Sequence, residues 1–302
     1  MSWSRRDFMK VSALGLAGSA LAGPSSLLGR TRAEFVPLRR NVGIFTERGG
    51  TVGWLMNADG VAIVDSQFAD TAPLLLEGVR ARTTLPIDVL INSHHHPDHI
   101  GGNAVLRPAV GRIVAHERSL ENQRRVAGRA STPPDEGAFP DTTYTDETSL
   151  SIGDETIHLK HYGPAHTGGD SAIYFEQANV VHLGDLLNNH GWPNIDAGAG
   201  GTVHGWVQVI ETFLPIYPAD AIYIFGHNEA GAPPTGTRED VSFQRDYFLA
   251  VIGVAERALA AGSSREAAIA LTALPGFEFG GTASRLPLAV GIAYDELAAM
   301  RR

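Results

Sequence analysis

Apolar residues fall along this chain in short runs separated by polar turns, and the spacing within the runs changes as the chain proceeds. Runs at 42–45 and 54–56 predict two strands joined across residues 46–53. Asp59-Gly60 is a hairpin signal, after which 61–64 returns as a further strand. Leu75 and Val79, four apart, predict a helix over 70–82. Val89-Leu90-Ile91 is a continuous apolar run, the pattern of a strand buried on both faces. Similar runs stand at 112–115, 172–175, 180–183 and 221–225, and 156–161 is strand-like. Between the last two, Trp206, Ile210 and Phe213 share one face of a helix expected over 202–214. Residues 131–147 are rich in Pro, Thr, Asp and Glu without periodicity and are expected to form a surface loop. The final seventy or so residues read as mostly helical. Phe248, Ile252, Ala255 and Leu259 form one stripe, and Ser263 with Glu266 is expected to make a capping box for the following helix. Strands alternating with helices predict a layered α/β architecture.

The chain has 302 residues, 43% of them hydrophobic, enough for the core of one large domain or two smaller ones. Its formal net charge of -9 lacks the basic face that phosphate neutralisation requires, so a nucleic-acid partner is not expected. There are no cysteines. Disulfides and thiolate ligands are therefore excluded, and any transition metal must be held by imidazole and carboxylate.

The N-terminus carries a different signal. Ser4-Arg5-Arg6-Asp7-Phe8-Met9-Lys10 resembles a twin-arginine export signal, followed over 11–23 by a mildly apolar stretch rich in Ala, Gly and Ser. That stretch is shorter than the about 20 residues a membrane span needs, and it suits a signal segment cut after Thr31-Arg32-Ala33. The reading implies a signal peptide over 1–33, export by the twin-arginine machinery, a periplasmic mature protein and no membrane in the mature form.

The densest chemistry lies in Asn92-Ser93-His94-His95-His96-Pro97-Asp98-His99, directly after the buried run at 89–91. In an extended segment His94 and His96 point the same way, and the following turn can bring Asp98 and His99 to a neighbouring point. Three later segments each place one ligand-type residue just beyond an apolar run, beside Gly or Pro: His166 in Gly163-Pro164-Ala165-His166, Asp185 in Leu183-Gly184-Asp185, and His227 in Phe225-Gly226-His227. Strand ends of this kind are where α/β proteins build their sites.

The set H-x-H-x-D-H, followed later by His, Asp and His, resembles the metallo-β-lactamase superfamily over about residues 42 to 230. The resemblance implies an αββα sandwich, here with a helical C-terminal extension and one hydrolase domain over 34–302. It implies that His94, His96 and His166 hold one metal ion and that Asp98, His99 and His227 hold a second, with Asp185 bridging both. Asp65, ending the run at 61–64, would orient a ligand imidazole. The implied cofactors are two divalent metal ions, zinc first, with iron or manganese as alternatives. Two such ions about 3.5–4 Å apart polarise a carbonyl or phosphoryl oxygen and acidify a water, and Asp98 would be the catalytic residue that carries its proton. The expected activity is cleavage of an ester, lactone, thioester or amide of a small-molecule substrate, β-lactams included. Aspartate at 185, where many lactamases carry Cys or Ser, resembles the glyoxalase II, lactonase and phosphodiesterase branches. The alternatives are a mononuclear iron oxygenase resembling the persulfide dioxygenases, and a non-catalytic periplasmic binding protein.

Other residues receive plainer readings. His95 is expected to face away from the metals, and His182 to be structural. His116, His158, His161 and His204 are expected to be ordinary surface or satisfied histidines. Trp54 and Phe68 are assigned to the core, 198–201 to a simple loop, and His190 and Trp192 to the substrate pocket. Specificity is expected from loops 46–53, 131–147 and 188–201.

Overall fold

The computed structural model describes residues 33–131, 135–277, 279 and 284–301. The expected signal peptide, apart from Ala33, lies outside the described residues. Two β-sheets stack face to face with helices on both outer surfaces. The first sheet holds β1 (Glu34–Arg39), β2 (Val42–Thr46), β3 (Val52–Met56), β4 (Val61–Val64), β5 (Ile87–Asn92), β6 (Val110–His116) and β7 (Thr142–Tyr144), paired in that order. Pairing is antiparallel as far as β4 and parallel from there to β7. The second sheet runs β15 (Thr235–Gly236), β13 (Ile222–Ile224), β11 (Val180–His182), β10 (Ala172–Phe175), β9 (Glu155–Lys160), β8 (Glu147–Ile152).

Side-chain alternation along the strands builds three apolar layers. Ala62 and Val64 of β4 face the second sheet, where they meet a cluster containing Ile157, Ile173, Val180 and Ile224. Val61 and Ile63 face outward and pack with Leu75 and Val79 of α1 (Ala72–Arg80). On the far side Val181 and Tyr223 join Trp206 and Phe213 of α5 (Val203–Phe213) and Phe248 of α6 (Arg238–Ala260). The C-terminal helices α7 (Arg265–Ile269) and α8 (Leu286–Met300) close that layer, with Leu286, Ala289 and Val290 fully buried. The αββα sandwich with its C-terminal helices is thus the observed fold. Among the described residues no helix is long and apolar enough to cross a membrane.

Several local expectations are corrected. Strand β1 was not anticipated; Pro37 breaks its apolar pattern, and it is tolerated because β1 is an edge strand. The supposed loop over 131–147 contains a helical turn at Glu136–Ala138, then β7, and ends in the first residue of β8. Tyr144 is buried there and donates to Ser171 Oγ at 2.5 Å, which a free surface loop would not do. The buried residues of α6 are Val241, Gln244, Tyr247, Phe248, Val251 and Ala255; Ile252 and Leu259 lie half-buried beside them. Ser264, not Ser263, caps α7 by accepting from Ala267 N, which leaves Glu266 one position short of a capping box. The capping box stands instead at Thr237 and Asp240, before α6. Trp54 is in the core, whereas Phe68 is half-buried under the Arg48 guanidinium, 4.4 Å from the ring centroid.

Candidate metal centre

Parallel pairing puts the carboxyl ends of β4, β5 and β6 at one edge of the first sheet. Asp65 leaves β4 there and His94 to His96 leave β5. His96 keeps an extended backbone, and Pro97 then starts α2 (Pro97–Ile100), whose first turn carries Asp98 and His99. In the second sheet β11 and β13 are also parallel. Asp185 follows β11 after Gly184, which has a positive φ of 49°. His227 follows β13 and pairs with Asn188 through a two-residue parallel ladder, β12 (Asn188–Asn189) with β14 (His227–Asn228), that holds it next to the Asp185 turn. His166 sits in the loop between β9 and β10.

The side chains meet in two groups. His94 Nε2 lies 3.1 Å from His96 Nδ1, which lies 2.9 Å from His166 Nε2. On the other side His227 Nε2 lies 3.0 Å from Asp98 Oδ2 and 3.3 Å from His99 Nε2. Asp185 stands between them. Its Oδ2 is 3.5 Å from His166 Nε2 and 3.9 Å from His94 Nε2, while its Oδ1 is 2.9 Å from His99 Nε2 and 3.3 Å from His227 Nε2. His94, His96, His166 and Asp185 therefore offer ligand atoms to one point, and Asp98, His99 and His227 to a second.

The far sides of the rings are tied down. Asp65 Oδ2 is 2.7 Å from His99 Nδ1, and both Asp65 oxygens also accept from Ser93. Asp65 is buried in the left-handed region, φ 68°, a conformation that costs an ordinary residue about 1–3 kcal/mol and persists only where the surroundings enforce it. His166 Nδ1 donates to the Asn194 carbonyl. His96 Nε2 meets Asp196 Oδ2 at 3.0 Å, a residue that sequence reasoning missed. The 198–201 loop, read as featureless, has Asp196 as its cap, accepting from Ala199 N, with Gly200 left-handed at its end. His95 does not simply turn away: its Nε2 lies 3.6 Å from the same Asp196 carboxylate, so His95, His96 and Asp196 converge as well.

Two glycines fit the ligands closely. A β-carbon on Gly50 would overlap the His99 ring, and one on Gly226 would overlap Asp185 Oδ1. Both positions need bare backbone.

Burial alone would lower the His99 pKa, but the Asp185 and Asp65 carboxylates hold it well above the ordinary imidazole value. Asp185 pushes His227 up to about 9. Asp185 itself is held well below the usual carboxylate range; burial opposes this, and His227 and His99 outweigh it. On the other side burial, aided by the neighbouring imidazoles, lowers His94 and His96. One half of the centre thus attracts positive charge and the other keeps its nitrogens free.

The remaining histidines have local partners. His182 Nε2 is 2.9 Å from the Thr51 carbonyl, and His161 stacks on His116 at 4.0 Å. His158 meets Ser149 and Glu176, and His204 meets Glu296. A cavity of about 520 Å³ opens over Asp98, Asp185 and His227, with Trp192 and Arg285 in its wall. His190 is not part of that wall; its ring packs on Phe243 at 4.8 Å.

The sequence profile described as the Metallo-beta-lactamase superfamily matches residues 46–246. The chain belongs to this superfamily. Among curated proteins it is similar to the hydroxyacylglutathione hydrolase of Rhodospirillum rubrum, at 26% identity over 55% of this chain and 56% of that one. It is also similar to the 2,4-dinitroanisole O-demethylase subunit alpha of a Nocardioides species, at 32% identity over 34% of this chain and 30% of that one. The matches thus span between about a third and a little over half of those relatives' own length. Among solved structures, a metallo-beta-lactamase from Pontibacter korlensis superposes with a TM-score of 0.58 at 21% identity, over 72% of this chain and 99% of that one. The sec-alkylsulfatase Pisa1 from Pseudomonas sp. gives 0.66 at 18% identity, over 87% and 50%. At such identities the likeness is one of fold.

Proposed function

We propose that this protein is a dinuclear metal-dependent hydrolase that cleaves an ester, lactone, thioester or amide of a small molecule. The observation that carries the reading is the position of Asp185 between two groups of three ligand-type side chains. Asp185 Oδ1 is buried and makes no hydrogen bond among the described residues, although His99 Nε2 and His227 Nε2 stand within 3.3 Å. His99 turns its Nδ1 toward Asp65, so its Nε2 is the nitrogen that faces the Asp185 carboxylate oxygen, 2.9 Å away. A cation held there by these residues would satisfy both atoms. Imidazole with carboxylate suits zinc best, with iron or manganese as alternatives.

His94, His96, His166 and Asp185 would hold one ion; Asp98, His99, His227 and Asp185 the other. Two divalent ions held there would polarise the substrate's acyl oxygen and acidify a water. In hydrolysis that water adds its oxygen to the acyl carbon while the bond to the leaving group breaks. Asp98, facing the cavity, accepts the water's proton and returns it to the leaving group. Asp65 and Asp196 hold the His99 and His96 rings in the tautomer that aims the correct nitrogen inward. Trp192 and the rest of the cavity wall position the acyl chain.

The test is a hydrolysis panel on metal-quantified protein before and after chelation. Hydroxyacylglutathione goes first, because relatives carry that activity in their names, then 2,4-dinitroanisole, lactones, aryl esters, β-lactams and phosphodiesters. Activity that follows the content of two ions is expected. One iron per chain with dioxygen consumption would instead establish the oxygenase alternative.

Export is a second part of the proposal. Arg5-Arg6 and the apolar stretch after them support a periplasmic enzyme delivered by the twin-arginine machinery, a route that accepts folded, metal-loaded cargo.

A further inference from the structure

The short connection between β2 and β3 passes against the second group of ligands, and its Gly50-Thr51 dipeptide is bonded to both halves of the molecule at once. Gly50 N donates to the Asp98 carbonyl at 3.0 Å, and Thr51 N donates at 2.8 Å to the carbonyl of Gly226, one residue before His227. The two carbonyls of the dipeptide accept from buried side chains: Gly50 from Gln67 Nε2 at 2.8 Å, and Thr51 from His182 Nε2 at 2.9 Å. Gly50 thus bonds to segments that follow the first sheet, and Thr51 to segments of the second. Gly50 also lies against the His99 ring, with no room for a β-carbon. His182 accepts from Gly184 N through its Nδ1 at 3.2 Å, so the ring that holds Thr51 also holds the turn into Asp185.

Gln67 makes its contact from a strained backbone. Its φ is 55°, in the left-handed region that glycine adopts freely and glutamine does not. Ser66 N donates to the His99 carbonyl and Gly102 N to the Gln67 carbonyl, so the strained turn is itself tied to the segment that carries Asp98 and His99. Glycine at 67 would relieve the strain and leave the Gly50 carbonyl without its donor.

We propose that Gln67 is a positioning residue for the second metal ion: by holding the Gly50-Thr51 clip, it sets Asp98 and His99 on one side against His227 on the other. The role rests on the two-ion hydrolase reading of the same centre. Asp98 and His227 come from different halves of the chain, and their side chains meet at 3.0 Å. The clip is a backbone bridge between exactly those two segments, so a displacement of it is passed to both ligands. The rings of the other group have different anchors: Ser93 for His94, Asp196 for His96 and the Asn194 carbonyl for His166. The influence of Gln67 is therefore local to one ion. Because Asp98 also carries the proton in the proposed reaction, its misplacement slows the chemical step more than it weakens substrate binding.

The test titrates metal-free wild type, Gln67→Met and Gln67→Gly with cobalt, followed by calorimetry and absorption. Methionine keeps the length and bulk of the side chain without its donor; glycine removes the donor and relieves the backbone. Both variants should bind the second ion about tenfold more weakly, the lower end of what loss of an outer hydrogen-bond partner does to a metal site. In a His227→Gln background, which removes that ion, Gln67→Met should leave the affinity of the remaining ion unchanged. Hydrogen exchange of the metal-free protein needs neither metal nor turnover: the Gly50 and Thr51 amides should lose protection in both variants, while those of β4 and β5 keep theirs. On a cleaved substrate kcat should fall and KM hold. Wild-type affinity for the second ion in both variants overturns the role, and so does an equal loss for both ions, which marks general loosening. Unchanged exchange at Gly50 and Thr51, or one ion per chain in wild type, overturns it as well. If the second ion weakens as expected while no compound of the panel is cleaved, the positioning role stands and the hydrolase reading falls.

Discussion

Asp196 Oδ2 lies 3.0 Å from His96 Nε2, on the side of the ring away from His94 and His166. The contact makes Nε2 the proton-bearing nitrogen and turns the Nδ1 lone pair inward. Asp196→Ala should therefore loosen metal binding at the His94, His96, His166 group by about 10–100-fold, with little change in the melting temperature of the metal-free protein. Metal titration followed by spectroscopy of a cobalt-substituted sample reads the effect, and wild-type affinity in the variant would remove the role.

The two halves of the centre should load at different pH. His227 is pushed up to about 9 from the ordinary 6.5, so an ion binding there at neutral pH must displace a proton. Affinity on that side should rise by at least about fiftyfold between pH 7 and 9, as His227 gives up its proton and His99, also held high, adds to the trend. The His94 side, whose imidazoles are held low by burial, should change far less. Calorimetry in buffers of different ionisation enthalpy counts the protons released, and equal pH dependence for both ions would contradict the assignment.

The same pair sets a stability trend in the metal-free protein. A folded pKa raised to about 9 means the His227–Asp185 attraction stabilises fully below about 6.5 and fades as pH rises through 9. Asp185, held low, contributes stability at neutral pH that is lost only as pH falls through its depressed value. Denaturant midpoints of chelated protein should decline from pH 6.5 to 9, and a His227→Gln variant should flatten that slope.

Asp185→Asn keeps shape and removes charge. Turnover should fall on the order of a hundredfold or more, as when a central electrostatic group is lost, and the pH optimum should move upward as water becomes harder to deprotonate. Full metal content and wild-type rate on every substrate would refute the bridge.

Replacing both Arg5 and Arg6 with Lys should leave unprocessed protein in the cytoplasm, read by fractionation; unchanged periplasmic yield would count against the export signal.

How much of this was legible beforehand depended on local pattern. Each of His94, His96, Asp98, His99, His166, Asp185 and His227 follows an apolar run at a turn, so strand assignment located them together, and the structure brings all seven within reach of two points. Asp65 was legible for the same reason. Asp196 was not, because its loop has no periodicity and its partner His96 lies 100 residues away. Arg285, in the cavity wall, follows a stretch without strand or helix signal, so the sequence did not place it there. Of His190 and Trp192, two residues apart, only Trp192 joins the cavity wall; the left-handed backbone at His190 (φ 53°) accompanies a ring packed on Phe243, which no propensity foretells.

The ligand-type residues are divided between the sheets: His94, His96, Asp98 and His99 follow the first, and His166, Asp185 and His227 belong to the second. Neither half offers a full coordination sphere. An ion captured with these ligands therefore clasps segments some 130 residues apart in sequence, His99 to His227, and closing so long a loop is the kind of link that most restricts the unfolded chain. The centre would thus act as a seal on a completed sandwich: before the two sheets dock, neither ligand group is whole, so full metal content would mark a chain that has already passed that inspection.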